Sequence, residues 1–339
     1  MSGPTIEMAD AIETENLTKT YDGKTNAVDG VSISVGEAEI FGFLGPNGAG
    51  KTTTIRMLTT LNSISGGRAS VAGHDVAREQ DAVRRSVGLV LQEATVDSGL
   101  TGIENLMLSA RLYRVHEAEA KARAGELLSL VGLQEAAGRL VRTYSGGMKK
   151  RLELITGLIH EPKVLFLDEP TLGLDLQTRT AMWEYIRRIN REKETTIFLT
   201  THYLEEADEL CSKIAIIDRG RLLSIGSPQE LKSRLGGAVL EIEVATESDM
   251  TRLMASESEH GRVTRSGRMY RVDSPSPQKS LTRILDAFYE RGVQVSTTRL
   301  ERPSLDQVFL DVTGRTMREE NNSSFGDFAE RWHAEGKRE

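Results

Sequence analysis

The residues best suited to chemistry begin at Gly45. The run Gly45-Pro46-Asn47-Gly48-Ala49-Gly50-Lys51-Thr52 fits Gly, four residues, Gly-Lys-Ser/Thr, the pattern of a phosphate-binding loop. Its surroundings are those the pattern needs: "EIFGFLG" before it reads as a buried strand and "KTTTIRMLTTL" after it as a helix. Glycines let backbone N–H groups converge on phosphate oxygens, and the helix N-terminus adds its dipole. Lys51 can reach the β- and γ-phosphates, and the Thr52 hydroxyl can ligate Mg²⁺. A chance match in a chain of this size is on the order of 1%, so a plain glycine-rich turn is the weaker reading.

Such a loop binds a phosphate chain without necessarily breaking it. Downstream, "KVLFLDEP" (163–170) is an apolar run ending in two carboxylates, the form of a strand buried on both faces of a parallel sheet. Ligands bind at the carboxyl ends of such strands. Asp168 is therefore predicted to hold the Mg²⁺ shell through water, and Glu169 to polarise an attacking water. Seen alone, two acids at a strand end can be mere solvation. Beside a phosphate loop the catalytic reading prevails.

Four further features stand in order along the chain. "LVLQEATVD" carries Gln92 after a strand, "TYSGGMKKRLEL" opens a helix with Ser145, Gly146 and Gly147, "TLGLD" carries Asp175, and "TIFLTTHYLEEAD" carries His202 after a strand. This order resembles the nucleotide-binding subunit of ATP-binding cassette (ABC) transporters over residues 12–235. The resemblance implies an α/β fold, a P-loop NTPase cassette with a RecA-like core, an antiparallel β subdomain and a helical subdomain over about 93–160. It further implies that two cassettes close head to tail around ATP and Mg²⁺, most simply as a homodimer. ATP would then lie on Gly45, Pro46, Asn47, Gly48, Ala49, Gly50, Lys51, Thr52 and Thr53, with Tyr21 stacked on adenine. Ser145, Gly146 and Gly147 would contact the γ-phosphate in trans, and Asp175 would join the two sites. Gln92 would touch Mg²⁺ and the water, completing a metal set with Thr52 and Asp168, while His202 would hold the γ-phosphate and orient Glu169. The commonest signature of the family is Leu-Ser-Gly-Gly-Gln; here Tyr144 replaces Leu and Met148 replaces Gln, and a thioether cannot donate the amide's hydrogen bonds. With Glu169, His202 and Gln92 all kept, the chain reads as a working ATPase rather than a nucleotide sensor.

The whole chain must position these groups. Its 339 residues allow two or three domains. A net charge of −7 gives no general reason to bind nucleic acid. The single cysteine, Cys211, excludes an internal disulfide and reads as a small buried residue in a reducing compartment. His74, His116, His160, His260 and His333 show no ligand-like spacing and read as packing or surface residues. No apolar run approaches the roughly 18 to 20 residues a membrane span needs, and the start of the chain lacks a signal pattern. The chain therefore reads as soluble and cytoplasmic, with any membrane span supplied by another polypeptide.

Between Gln92 and Ser145, "GIENLMLSARLYRVHEAEAKARAGELLSLVGL" has helical spacing. It resembles the family's helical subdomain, whose groove beside the Gln loop receives a short helix of the membrane subunit. From about residue 236 the composition changes: "AVLEIEVAT", "GRVTRSG", "RMYRVDS" and "VQVSTTRLE" read as strands, "ESDMTRLMASE" and "SLTRILDAFYERG" as helices. The order β-α-β-β-α-β predicts a small α+β ferredoxin-like domain over 236–315. Residues 316–339 read as a charged tail in which Phe325, Phe328 and Trp332 could dock on a partner. This second half resembles that of cassettes of the daunorubicin-resistance type. That implies an exporter of drug-like or other hydrophobic molecules, worked through a separate ABC-2-type integral membrane permease, with the chain peripheral at the cytoplasmic face. The alternative is a soluble cassette ATPase, for example of the iron–sulfur assembly type, not coupled to transport.

Overall fold

Strands buried along their whole length carry the chemistry. In the computed structural model of the chain, which describes residues 10–314 apart from 94, 236–237, 247–261, 267, 275–276, 291 and 302, every residue of β3 (Ile40–Leu44), β7 (Val164–Asp168) and β8 (Thr196–Thr201) is buried. With β6 (Val87–Val90) and β9 (Lys213–Asp218) they form the parallel run β9-β3-β8-β7-β6, and β10 (Arg221–Gly226) pairs antiparallel at the β9 edge. Continuous apolar sequence suits these strands because both faces are covered, by helices or by a second layer.

The second layer is the antiparallel sheet β2-β1-β4-β5, built from β1 (Asp10–Thr20), β2 (Asn26–Gly36), β4 (Gly66–Val71) and β5 (His74–Asp75). Here Val31, Ile33 and Val35 alternate inward, the period-2 pattern of a half-buried strand. They share one core with Phe41, Phe43, Phe166 and Phe198. The Phe198 ring lies 5.4 to 5.5 Å from each of the other three, within the range of favourable aromatic pairing.

Helices leave the carboxyl ends of the parallel strands or bridge them. They are α1 (Lys51–Leu58), α2 (Gln80–Ser86), α3 (Gly102–Leu112), α4 (Glu117–Leu130), α5 (Gly146–Thr156), α6 (Leu176–Lys193) and α7 (Leu204–Leu210). Three of their starts are chemically marked. Thr101 and Glu104 close a capping box on α3, Ser145 caps α5 and Asp175 caps α6.

A first compact unit runs to Pro228, and α8 (Pro228–Ser233) stands at its junction with the second, which starts at Gln229. That second unit contains β11 (Ala238–Val244), β12 (Arg262–Ser266), β13 (Met269–Ser274) and β14 (Val295–Glu301) in the antiparallel order β12-β13-β11-β14. Leu240, Ile242, Val244, Tyr270 and Val272 face the helix Pro277–Glu290 through Ile284 and Phe288. This is the ferredoxin-like order expected from the alternation of strand and helix patterns. The first helical pattern, "ESDMTRLMASE", lies outside the described residues, as do His260 and the tail 316–339 with Phe325, Phe328, Trp332 and His333. A helix over Leu305–Thr313 follows β14, started by a Ser304–Gln307 capping box.

Phe198 is fully buried at the centre of the aromatic group, so Phe198→Ala is expected to destabilise the cassette by about 3–5 kcal/mol. Equilibrium denaturation followed by tryptophan fluorescence measures it, and a loss below about 1 kcal/mol would mean the rings do not carry the core.

Candidate active site

The parallel register pairs Leu44 with Thr201 and Asp168 with Thr200. The loops after β3, β7 and β8 therefore leave the sheet side by side.

After Leu44 the chain turns through Gly45–Gly50 into α1. Gly45 donates its N–H to Thr201 O at 3.2 Å, and a Cβ there would lie 2.4 Å from Ile217 O. Gly50 has φ +103°, and its Cβ would lie 2.5 Å from Ala27 O. Only glycine follows this path. Pro46 and Ala49 are buried, Asn47 and Gly48 are exposed, and Thr52 and Thr53 are half-buried. No side chain caps α1, so its first-turn N–H groups form an anion-accepting end. The buried Lys51 ammonium donates to Gly45 O at 2.7 Å and Pro46 O at 3.0 Å, and pairs with Glu169 Oε1 at 3.2 Å. One side chain thus ties the phosphate loop to the acidic strand.

Asp168 and Glu169 play separate parts. Asp168 Oδ1 accepts from Thr200 Oγ1 at 2.6 Å, whereas its buried Oδ2 has no hydrogen-bond partner among the described residues. Glu169 is held at φ +50°, a left-handed conformation uncommon outside glycine. Its backbone N–H fixes it there by donating to Thr200 O at 3.2 Å and to Thr200 Oγ1 at 3.1 Å. The turned backbone aims the carboxylate at both Lys51 and His202. His202 Nδ1 stands 3.2 Å from Glu169 Oε1, at charge-pair distance but off the line of a hydrogen bond. Burial is the strongest influence on the Glu169 carboxyl and pushes it up. His202 beside it and the Lys51 charge together outweigh burial, leaving the group below its ordinary 4.5.

The remaining sites predicted from sequence sit on neighbouring elements. Ser145 is exposed at the start of α5, where its Oγ accepts from the Met148 N–H at 3.3 Å. Gly146 is exposed, and Gly147 packs so closely on α6 that a Cβ would lie 2.7 Å from Thr178 Cγ2. Thr178 is also what Asp175 holds, through its N–H at 2.9 Å and its hydroxyl at 2.8 Å. Those bonds, the N–H first, keep the Asp175 carboxyl below its usual range. The Ser-Gly-Gly and Asp helices therefore begin against each other. Gln92 is exposed after β6; its carbonyl accepts from Lys150 Nζ at 3.1 Å, which ties the Gln loop to α5. Tyr21 is 64% exposed, and its hydroxyl accepts from Asn62 Nδ2 at 2.9 Å.

Sequence reading missed the residues that hold these groups. Thr200 fixes both acids, and its signal was the alternation of "FLTTH", which puts one Thr on each face. Tyr144 is buried, and its hydroxyl donates to Ala136 O at 2.6 Å. A Cβ on Gly102 would lie 2.4 Å from that hydroxyl. Tyr144 thus anchors the Ser-Gly-Gly turn into the helical region. His160 packs as expected, stacked on Tyr113 with centroids 3.6 Å apart, and Cys211 is buried.

This geometry has known counterparts. The ABC transporter family model matches residues 28–172, and that of the ATP-binding protein DrrA1-3-like C-terminal domain matches residues 226–313. The chain is 44% identical over 310 residues to the daunorubicin/doxorubicin resistance ATP-binding protein DrrA of Streptomyces peucetius, covering 90% of this chain and 92% of that protein. It is 38% identical over 319 residues to the Nod factor export ATP-binding protein I of Ralstonia nicotianae, covering 94% and 98%. Among solved structures, the dimeric post-hydrolysis state of the ATP-binding cassette MJ0796 bound to ADP and Pi matches with a TM-score of 0.58 at 25% identity, covering 64% of this chain and 98% of that one.

A carboxyl held below its unfolded value stabilises the fold above pH 4.5 and loses that contribution as pH falls through the folded value. Denaturation of the wild type and Glu169→Gln between about pH 7 and about pH 3 should show the wild type losing stability more steeply below pH 4.5. Parallel curves would refute the lowered carboxyl.

Proposed function

The chain belongs to the ABC transporter family of ATP-binding subunits, and from that membership we propose how its residues work. It is an ATPase subunit of an exporter of the drug-resistance type, and the reading of its site rests on one observation. A phosphate-loop lysine and a histidine from another strand both stand 3.2 Å from the same oxygen of Glu169.

ATP would lie with its phosphates along the loop Gly45–Thr53, on backbone N–H groups from Asn47 onward, competing with the Gly45 and Pro46 carbonyls for the Lys51 ammonium. Tyr21, exposed on the segment between β1 and β2, would stack on adenine. Mg²⁺ fits the residues present, because the buried Oδ2 of Asp168 has no hydrogen-bond partner among the described residues and Mg²⁺ takes one or two carboxylates together with phosphate oxygens. Asp168, Thr52 and Gln92 would hold it, and it would supply charge neutralisation between the phosphates. Glu169 would accept a hydrogen bond from the attacking water. The carboxyl, held below its ordinary value, is ionised at neutral pH and can accept that bond. His202 would hold the γ-phosphate and fix Glu169.

Closure needs a second copy. The exposed starts of α5 and α6, with Ser145, Gly146, Gly147 and Asp175, would meet the phosphates bound by a partner chain, giving a homodimer with two ATP between its cassettes. We assign the cassette to residues 12–235, its helical part to about 93–160, and the appended domain to 236–315. The membrane partner is an ABC-2-type permease with the chain peripheral at its cytoplasmic face. Among the described residues no helix is long and apolar enough to cross a membrane. A groove of about 320 Å³ beside the Gln loop, lined by Leu89, Leu91, Leu108, Leu112 and Tyr113, would take the permease's short helix, and Leu112 is 75% exposed at its lip. The cargo is a drug-like or other hydrophobic molecule, by analogy with relatives named for daunorubicin resistance and Nod factor export. A soluble cassette of the iron–sulfur type accounts less well for the match at residues 226–313.

Glu169→Gln is expected to bind ATP with unchanged affinity and to lose hydrolysis by about 10²-fold or more; normal turnover would remove Glu169 from the chemistry. In a pull-down from gently solubilised native membranes with Mg-ATP, tagged Glu169→Gln should recover a multi-span protein in stoichiometric amount. Adding Leu112→Asp should reduce that recovery at least about tenfold, because a charge would enter an apolar contact. Equal recovery would place the docking surface elsewhere.

A further inference from the structure

The most deeply placed carboxyl outside the reacting groups is Glu206, fully buried on α7 four residues after His202. Its Oε1 accepts two bonds, from Thr171 Oγ1 at 2.7 Å and from Trp183 Nε1 at 3.0 Å. The Thr201 hydroxyl at the end of β8 also acts on this carboxylate, and Oε2 makes no further hydrogen bond among the described residues. Thr171 is fully buried two residues past Glu169, in the turn that leads to Asp175. Trp183 belongs to α6, which Asp175 caps. A second bridge runs alongside: the Arg179 guanidinium of α6 lies 4.2 Å from the Tyr203 ring centroid, and the Tyr203 and His202 rings are 4.2 Å apart.

A half-satisfied buried carboxyl is a costly way to fill a core, and apolar residues of similar volume usually serve stability as well or better. Burial accordingly pushes the Glu206 carboxyl up, against the donors around it. What Glu206 supplies that an apolar residue cannot is one acceptor oxygen shared by two donors on the two segments that carry Glu169 and Asp175.

We propose that Glu206 is a positioning residue for ATP hydrolysis, its Oε1 locking the Glu169–Asp175 turn and α6 onto the helix that follows His202. The catalytic acid, the histidine and the aspartate that caps α6 then keep one spacing through the cycle. This rests on the roles given above to Glu169 and His202.

The test compares full-length wild type, Glu206→Gln, Glu206→Ala and Thr171→Val, with Glu169→Gln alongside. Each is measured for kcat and KM with Mg-ATP, for affinity with a trinitrophenyl-ATP probe, and for melting temperature. Gln keeps the acceptor oxygen, so kcat should stay within about twofold of wild type, whereas Ala should lower it about tenfold with probe affinity within about twofold. Thr171→Val removes one donor at nearly constant volume and should lower kcat about threefold while the melting temperature holds. Unchanged kcat in a folded Ala or Val variant would overturn the positioning role. So would a Gln variant as impaired as Ala, or losses of kcat and affinity in step with melting temperature. If the wild type hydrolyses and Glu169→Gln does not, the assignment of Glu169 stands whatever the Glu206 variants do. A wild type without turnover would sink both.

Discussion

The register of three adjacent parallel strands is the constraint on which the site depends. Leu44 stands opposite Thr201 and Asp168 opposite Thr200, so the phosphate loop, the acidic pair and the histidine leave the sheet at one level. A slip of one residue would turn each strand's side chains to the other face. Thr200 would then leave Asp168, and the backbone bonds that hold Glu169 at positive φ would go with it. The register is pinned by bulk rather than by the reacting groups. Phe41 and Phe198 face each other across β3 and β8, and Phe166 packs on the same ring. Burial of these rings therefore sets the geometry of a polar site that could not set its own.

Helix starts do the second half of the work. α1 begins at a glycine with no capping side chain, whereas α5 and α6 begin at Ser145 and Asp175, each of which spends its side chain on its own first turn. Of these three, the uncapped end is the one at the phosphate loop, where a ligand oxygen can take the place that Ser145 and Asp175 hold on the other two. The capped ends are rigid surfaces. Gly147 lets them lie against each other, since a larger residue would meet Thr178. Tyr144 explains the departure from the family's leucine: its ring fills buried space and its hydroxyl closes on Ala136 O, at a place Gly102 leaves open. Met148 supplies its backbone N–H, which Ser145 Oγ accepts. A thioether side chain does not disturb that bond.

What was legible in the sequence follows a physical division. Gly45–Thr52, the run ending in Asp168 and Glu169, and the Ser-Gly-Gly turn could be read because their chemistry is fixed by residues adjacent in the chain. The alternating strands of the appended domain were legible for the same reason, since period-2 patterns are local. Thr200, Gly102 and Glu206 were not, because their meaning lies in a contact across the fold: 32 residues from Asp168 for Thr200 and 35 from Thr171 for Glu206. Gln92 shows the other limit. Its position after β6 could be read, but Lys150, which holds its carbonyl from α5, looked like one more basic residue in "GMKKRLEL".

Acid placement shows how the cassette trades stability for readiness. Asp168, Glu169, Glu153 and Glu206 are all buried, and each is satisfied only in part or only by a group the reaction would need. Asp168 keeps one oxygen without a hydrogen-bond partner among the described residues, and Glu169 is paired with Lys51, the side chain that phosphates would claim. Burial raises the Glu153 carboxyl, and its partner Lys150, at 3.1 Å, also holds the Gln loop. A core built for stability alone would replace such groups with apolar ones. Their arrangement is better understood as separate local polar sets, each tying one acid to a neighbouring loop or helix. Moving Lys51 toward a phosphate would loosen its hold on Glu169, and moving the Gln loop would strain Lys150 and so the helix that begins at Ser145. Partial satisfaction leaves Lys51 and Lys150 each shared between a buried carboxylate and a backbone carbonyl, of the phosphate loop in one case and of the Gln loop in the other.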